Sequence, residues 1–296
     1  MNYVRATLAN VKVLDNGDGA GEPYERDGIG FVCVEADTLH ITSWDADHCA
    51  ASELEELLEL AMPDRIEAPG YDPHCDHAEK AAELIRTYRD RHRKSNRPVT
   101  LEYVTPEFIE GLGSAGRLAF KNIFYHPRWI DEASNNNNST VKFFRRGSFN
   151  VLSLGDVESA DISARLRRSP TLCRETDVMI LAHHGADNGF TNKNFLKHLE
   201  PSLAICSADY DNKHDHPDDV IRELLHERGI ALMTTKTGDV VVKSIDDHSG
   251  LYSAINYIKG STEVSSKLEF RAKKAKLLTY NDDTLRELYA PRSAYR

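Results

Sequence analysis

The chain has 296 residues and a formal net charge of −10, enough length for one large domain or two small ones around a sizeable core. That charge excludes a surface that is basic all over, so any nucleic-acid contact must use a local patch. Five irregularly spaced cysteines make no disulfide framework, the first residues form no signal peptide, and no apolar run approaches membrane-spanning length. The expectation is a soluble, cytoplasmic protein with no membrane insertion.

Residues 1 to 42 read as strands broken by turns, with Asn16-Gly17-Asp18-Gly19 as a turn and Phe31 to Val34 as a short apolar strand. Leu39-His40-Ile41-Thr42 alternates as a half-buried strand does. There follows Ser43-Trp44-Asp45-Ala46-Asp47-His48, and then a helix from Ala50 to Met62 with Leu54, Leu57, Leu58 and Ala61 on one face. Ser52 and Glu55 have the spacing of a capping box at its start. Two carboxylates and an imidazole thus crowd into a turn between strand and helix. Such donors repel one another unless a cation sits among them, and the competing reading is a solvated acidic turn.

Pro63 to Pro73 is irregular and punctuated by prolines. His77 to about Lys94 reads as a helix whose Arg86, Arg89, Arg91, Arg93 and Lys94, with Arg97 beyond, are the densest basic cluster: either a solvated face or a contact for nucleic acid. His74-Cys75-Asp76-His77 holds donors, but the spacing matches no usual paired zinc pattern and a second half is missing. From Val99 to Trp129 the pattern is weak. Asn135 to Asn138 leads into Thr140 to Phe144 and Phe149 to Leu154, which pair as a hairpin.

The remainder alternates strand and helix: Val178 to Ala182, a helix near Asn192 to Leu199, Leu203 to Ser207, and a helix from Asp218 to Arg228 closed by Gly229. Ile230 to Thr235 and Asp239 to Lys243 read as a final hairpin over Thr237-Gly238. Three more donor groups fall just past strand ends: Asp156, His183-His184-Gly185, and His214-Asp215-His216-Pro217. Strand ends along one sheet edge are where open α/β architectures collect their sites.

This ordered set resembles the metallo-β-lactamase fold, in its ComEC/Rec2-like branch. That branch carries His-x-Asp-x-Asp-His after a strand, then Asn-Asn-x-Ser, Gly-Asp, His-His-Gly and His-Pro. The counterparts are Ser43 to His48, Asn137-Asn138-Ser139, Gly155-Asp156, His183-His184-Gly185 and His216-Pro217. The likeness runs over roughly residues 10 to 245 and is weakest in an insertion-like stretch, about 64–125.

The resemblance implies an α/β fold, a four-layer αββα sandwich over residues 1–246, with 247–296 as a C-terminal helical or extended appendage. It implies a divalent metal cofactor, Zn²⁺ or Mn²⁺, as one or two ions. The ligands carried over are Asp45, Asp47, His48, Asp156, His183 and His216. Asp47, His184 and His216 are the expected catalytic residues, and Asn138 and Ser139 the expected donors to a substrate phosphate. The expected activity is that of a metal-dependent phosphodiesterase or nuclease acting on nucleic acid or a nucleotide, with a protein partner held through the appendage. Ser43 stands where the branch has its leading histidine. Either one ion binds weakly, or His40 or another group replaces the ligand, or the site is degenerate and the protein a binding or scaffold module. A hydrolase of lactones or thioesters would use the same site.

Overall fold

The structure is a computed structural model that describes residues 2–7, 10–15, 24–26, 29–31, 38–45, 48–114, 121–131, 134–145, 149–246 and 249–278. The turn Asn16 to Gly19, Asp47 and the last residues of the expected appendage lie outside the described residues.

Strands β1 (Asn2–Thr7) and β2 (Asn10–Asp15) pair antiparallel, as do the short β3 (Tyr24–Arg26) and β4 (Ile29–Phe31). Next come β5 (Thr38–His40), α1 (Ala51–Ala61), β6 (Arg65–Pro69), α2 (Asp76–His92) and β7 (Thr100–Val104), then α3 (Pro106–Gly111). β8 (Ile123–Tyr125), β9 (Val141–Phe144) and β10 (Val151–Ser153) follow, with helices α4 (Ala160–Leu166) and α5 (Pro170–Glu175). After them come β11 (Val178–Ile180), α6 (Lys193–Leu199), β12 (Leu203–Cys206), α7 (Asp219–Glu227) and β13 (Ala231–Thr234). The described chain closes with β14 (Val240–Ile245), β15 (Leu251–Tyr257), β16 (Val264–Arg271) and α8 (Lys273–Leu278).

A six-stranded sheet, ordered β13-β12-β11-β10-β9-β8, is the centre of the molecule. Its strands are apolar on both faces, as a sheet covered twice must be. Val151, Val178, Ile180, Leu203 and Ile205 point to one side, where they meet Val240, Val242, Tyr252 and Ala254 of the five-stranded sheet β16-β15-β14-β1-β2. Leu152, Met179, Ala204 and Cys206, one residue out of phase, face the other way onto Ile162, Leu172, Phe195 and Leu225 of the helices.

A third sheet, the parallel β5-β6-β7, uses the same alternation. Ile66 and Ala68 pack on Leu54, Leu58, Ala81 and Ile85 of α1 and α2. Glu67, between them, reaches Lys142 of β9 at 2.5 Å. Lys142 lies opposite Ser153 in the β9–β10 ladder, on the face that Val151 shares. The third sheet therefore also lies against the central one, and the order is helix, sheet, sheet, helix: an α/β sandwich.

Three local expectations are corrected. Helix α1 starts at Ala51 behind Ala50, whose side chain makes no capping bond, so Ser52 falls inside the first turn and forms no capping box. Residues 230–243 are not a hairpin: β13 lies parallel to β12, whereas β14 pairs with β1 and β15 in the other sheet. Gly238, at φ 151°, carries the crossing, and a Cβ there would lie 2.0 Å from the Tyr257 carbonyl oxygen. Finally, Arg65–Pro69 is not irregular but the middle strand of a sheet. Its buried Glu67 breaks the apolar run that marks such a strand.

Beyond residue 247, β15 and β16 run antiparallel beside β14, and Tyr252 stacks between Phe149 and Phe270 at 4.9 and 5.2 Å. No helix among the described residues is long and apolar enough to cross a membrane.

Candidate metal centre

Because β10, β11 and β12 run parallel, their carboxyl ends open onto one edge of the central sheet. The chain leaves β10 through Gly155 at φ 56°, where a Cβ would sit 3.0 Å from that of Ser139, and so delivers Asp156. It leaves β11 in a turn in which His183 (φ 45°) and His184 (φ 54°) both adopt the left-handed region, uncommon for side chains with a Cβ. Gly185 follows at φ 83°, with room for no side chain, since a Cβ would meet Pro217 at 2.6 Å. The His183 amide donates to the Gly155 carbonyl and the Asp218 amide to that of Gly185, both at 3.0 Å, which fastens the three strand-end loops together.

Among the described residues, His48, Asp156 and His184 offer three donor atoms within 4.8 Å of one another. His48 Nε2 lies 2.6 Å from Asp156 Oδ2, and His184 Nε2 3.7 Å from Oδ1. Each ring is anchored through its far nitrogen. His184 Nδ1 donates to the Ser207 carbonyl at 2.5 Å, and His48 Nδ1 lies 3.2 Å from Thr42 Oγ1. A carbonyl only accepts, so the His184 proton sits on Nδ1 and its Nε2 lone pair faces Asp156. Two imidazoles converging on a nearly buried carboxylate, with their outer nitrogens held, form a donor set that fits a divalent cation. A cavity of about 60 Å³ borders the group, lined among others by Thr42, His48, Asp156, His184 and Ser207.

The other expected residues fall around this group. His183 Nδ1 is 3.4 Å from Glu158 Oε2, and its ring centre is 6.2 Å from His184 and 6.1 Å from His216. Thus His184, expected as a catalytic residue and not among the ligands, stands beside Asp156, while His183 and His216 form the adjoining pair. His216 Nδ1 lies 3.1 Å from Asp218 Oδ1, and burial holds the imidazole below its ordinary value despite that carboxylate. Asp45 lies 3.1 Å from His74.

Asn138 and Ser139, expected to face a substrate phosphate, are buried and engaged inside the protein. The Asn138 amide donates to the Asp131 carbonyl and accepts from the Asp131 N–H, and Ser139 Oγ accepts from the Asp156 N–H. Ser139 thus ties down the start of the Asp156 loop, and Asn138 the backbone at Asp131. His40 does not replace the ligand missing at Ser43, because both ring nitrogens are taken: Nδ1 by Glu67 at 2.9 Å and Nε2 by the Thr140 hydroxyl at 2.7 Å.

Sequence reasoning missed Thr42 and the Ser207 carbonyl as holders of the two histidines. Thr42 precedes the acidic turn directly, so position alone marked it; a backbone carbonyl leaves no mark in sequence.

The fold and this edge define an α/β protein with a His-Asp-His donor group at the strand ends. No family model matches the chain. Over 148 residues, 49% of its length, it is 28% identical to ComE operon protein 3 of Bacillus subtilis (strain 168). The matched stretch is 19% of that protein, so the chain corresponds to about a fifth of it.

Proposed function

We propose that the chain is a metal-dependent hydrolase of phosphodiesters, related to the metallo-β-lactamase-fold part of competence proteins. The observation that carries this reading is the convergence of His48, Asp156 and His184 on one point. The relative named above and the ordered motifs support it. A divalent ion supplies Lewis-acid activation of water and neutralises charge on phosphoryl oxygens. Thr42 and the Ser207 carbonyl fix the two imidazoles, and Ser139 fixes the loop that carries Asp156. His216, unprotonated at neutral pH and oriented by Asp218, accepts a proton at its outer nitrogen, with the His183 ring centre 6.1 Å from its own. Asp47 keeps its expected role as ligand and catalytic residue.

The test uses the full chain with Zn²⁺ or Mn²⁺ on bis-p-nitrophenyl phosphate and on single- and double-stranded nucleic acid. Turnover that falls to background in Asp156→Asn, together with loss of one bound ion per chain, supports the reading. No bound ion and no turnover would leave a binding or scaffold module instead, and turnover of lactones or thioesters alone would move the substrate class.

A further inference from the structure

A second cavity, of about 230 Å³, lies between the segment that follows β8 and helix α4, and Tyr125, Arg128, Trp129, Asp131, Ser159 and Arg165 are in its lining. Only Val157 and Glu158 separate Asp156 from Ser159, which puts the Ser159 Cα no more than about 11 Å from that of Asp156. Glu158 itself reaches His183 at 3.4 Å. The cavity is therefore a neighbour of the metal centre.

Its amides are committed to the protein. Asn137 Oδ1 accepts from the Glu158 and Ser159 N–H groups and its Nδ2 donates to Ser134, while the Asp131 backbone holds Asn138. Its two guanidiniums are not. Neither Arg128 nor Arg165 has a carboxylate partner among the described residues, and both are exposed. Arg165 lies over the Tyr125 ring, 6.0 Å from its centre, a contact that places the charge without neutralising it. Asp131 is the one carboxylate among the described lining residues, so positive charge prevails. The basic helix α2 differs: Arg86, Arg89 and, beyond it, Arg97 pair with Glu83, Asp90 and Asp64 at 2.9, 2.7 and 2.8 Å.

Trp129 is 73% exposed, whereas the other tryptophan, Trp44, is fully buried. A single apolar side chain in water is ordinary. An indole at a cavity with two unpaired guanidiniums has the makeup of a site for an unpaired base and its phosphates, because the ring stacks and the guanidiniums meet the anion.

We propose that this cavity is a subsite for single-stranded nucleic acid. It takes a nucleotide near the one whose phosphodiester lies at the metal centre, with the base on Trp129 and phosphate oxygens on Arg128 and Arg165. This rests on the reading of the chain as a phosphodiester hydrolase and narrows its substrate to a strand with unpaired bases. A duplex keeps its base faces stacked inside and offers Trp129 nothing. With the lining amides already engaged, the hold comes from stacking and charge and tolerates any sequence.

The test is binding of an oligothymidylate of about twelve nucleotides to the full chain, followed by anisotropy of a labelled strand and by tryptophan emission. The wild-type chain should bind the strand more tightly than a blunt duplex of equal length, with quenching of the exposed indole. Trp129→Ala should lose the quench and roughly tenfold in affinity, whereas Trp129→Phe should lose the quench and keep affinity within about threefold, since a benzene ring still stacks. Arg128→Ala and Arg165→Gln should each weaken binding and lower the slope of log affinity against log salt by about 0.7. Arg86→Ala, on α2, should bind as the wild type does. All these side chains are exposed, so melting temperatures should not move. Equal affinity for strand and duplex, full affinity in Trp129→Ala, or as large a loss in Arg86→Ala as in Arg165→Gln would each overturn the subsite. The hydrolase reading is judged apart from it, by wild-type turnover of bis-p-nitrophenyl phosphate. Turnover with strand binding indifferent to Trp129 would sink the subsite alone.

Discussion

Two nearly buried carboxylates, Glu67 and Asp156, have side chains equally shielded at 4% exposure, yet they are surrounded differently. Glu67 meets Lys142 and, through its other oxygen, Arg65 at 3.0 Å, with the neutral His40 donating at 2.9 Å. Burial works to raise its pKa, but the His40 hydrogen bond and the Lys142 charge outweigh that and hold it well below the carboxylate range. Asp156 is met by two imidazoles whose outer nitrogens are anchored. Fixed cations make the first cluster a seam between two sheets. Imidazoles make the second a place where positive charge can arrive from outside. A buried carboxylate is therefore informative through its partners, not its burial.

The largest way to break this contrast is Lys142→Met. It leaves Glu67 buried without its closest cation, and unfolding in urea should show a loss of roughly 3–5 kcal/mol. A loss near zero would mean that the seam does not depend on Lys142.

A second effect appears with pH. Burial holds His40 below its ordinary value of 6.5, so as pH falls below 6.5 the unfolded chain takes up a proton that the native one does not. Stability should decline over that range. Glu67, depressed from 4.5, contributes stability that is present above 4.5 and is lost only at more acid pH. Urea midpoints measured against pH should flatten just below 6.5 in His40→Gln, and an unchanged slope would assign the decline to other groups.

The smallest expected effect lies at Asp156. Thr42→Val removes the partner of His48 Nδ1 and should weaken Zn²⁺ binding about tenfold, with little change in stability. Titration and melting curves together check this. If stability falls instead, Thr42 belongs with the seam and not with the site.

Much of the central sheet was legible, because β11 and β12 are short, wholly apolar and bounded by polar turns. The donors at their ends were legible for a related reason, since Gly155-Asp156 and His183-His184-Gly185 are local patterns with local backbone demands. What escaped was long-range. Glu67 looks like an interruption until Lys142, 75 positions away, is placed against it. Tyr71, hydrogen-bonded to Ser43 Oγ, lies 28 positions from it and follows no period that could link them. Asn138 looked available for a ligand because sequence cannot show that the Asp131 backbone already occupies its amide. The hairpin expected over 230–243 failed because two adjacent strands of suitable composition can enter different sheets, and only packing decides which.

The position of Tyr252 has one further consequence. Its ring lies between Phe149 of the central side and Phe270 of β16, so β15 is a wall of the second core and the neighbour that closes the free edge of β14. A chain cut before Leu251 would bare an apolar face and an open row of backbone donors and acceptors at once, the combination that recruits other chains into aggregates. The choice of boundary for recombinant expression is therefore a matter of solubility before it is one of activity.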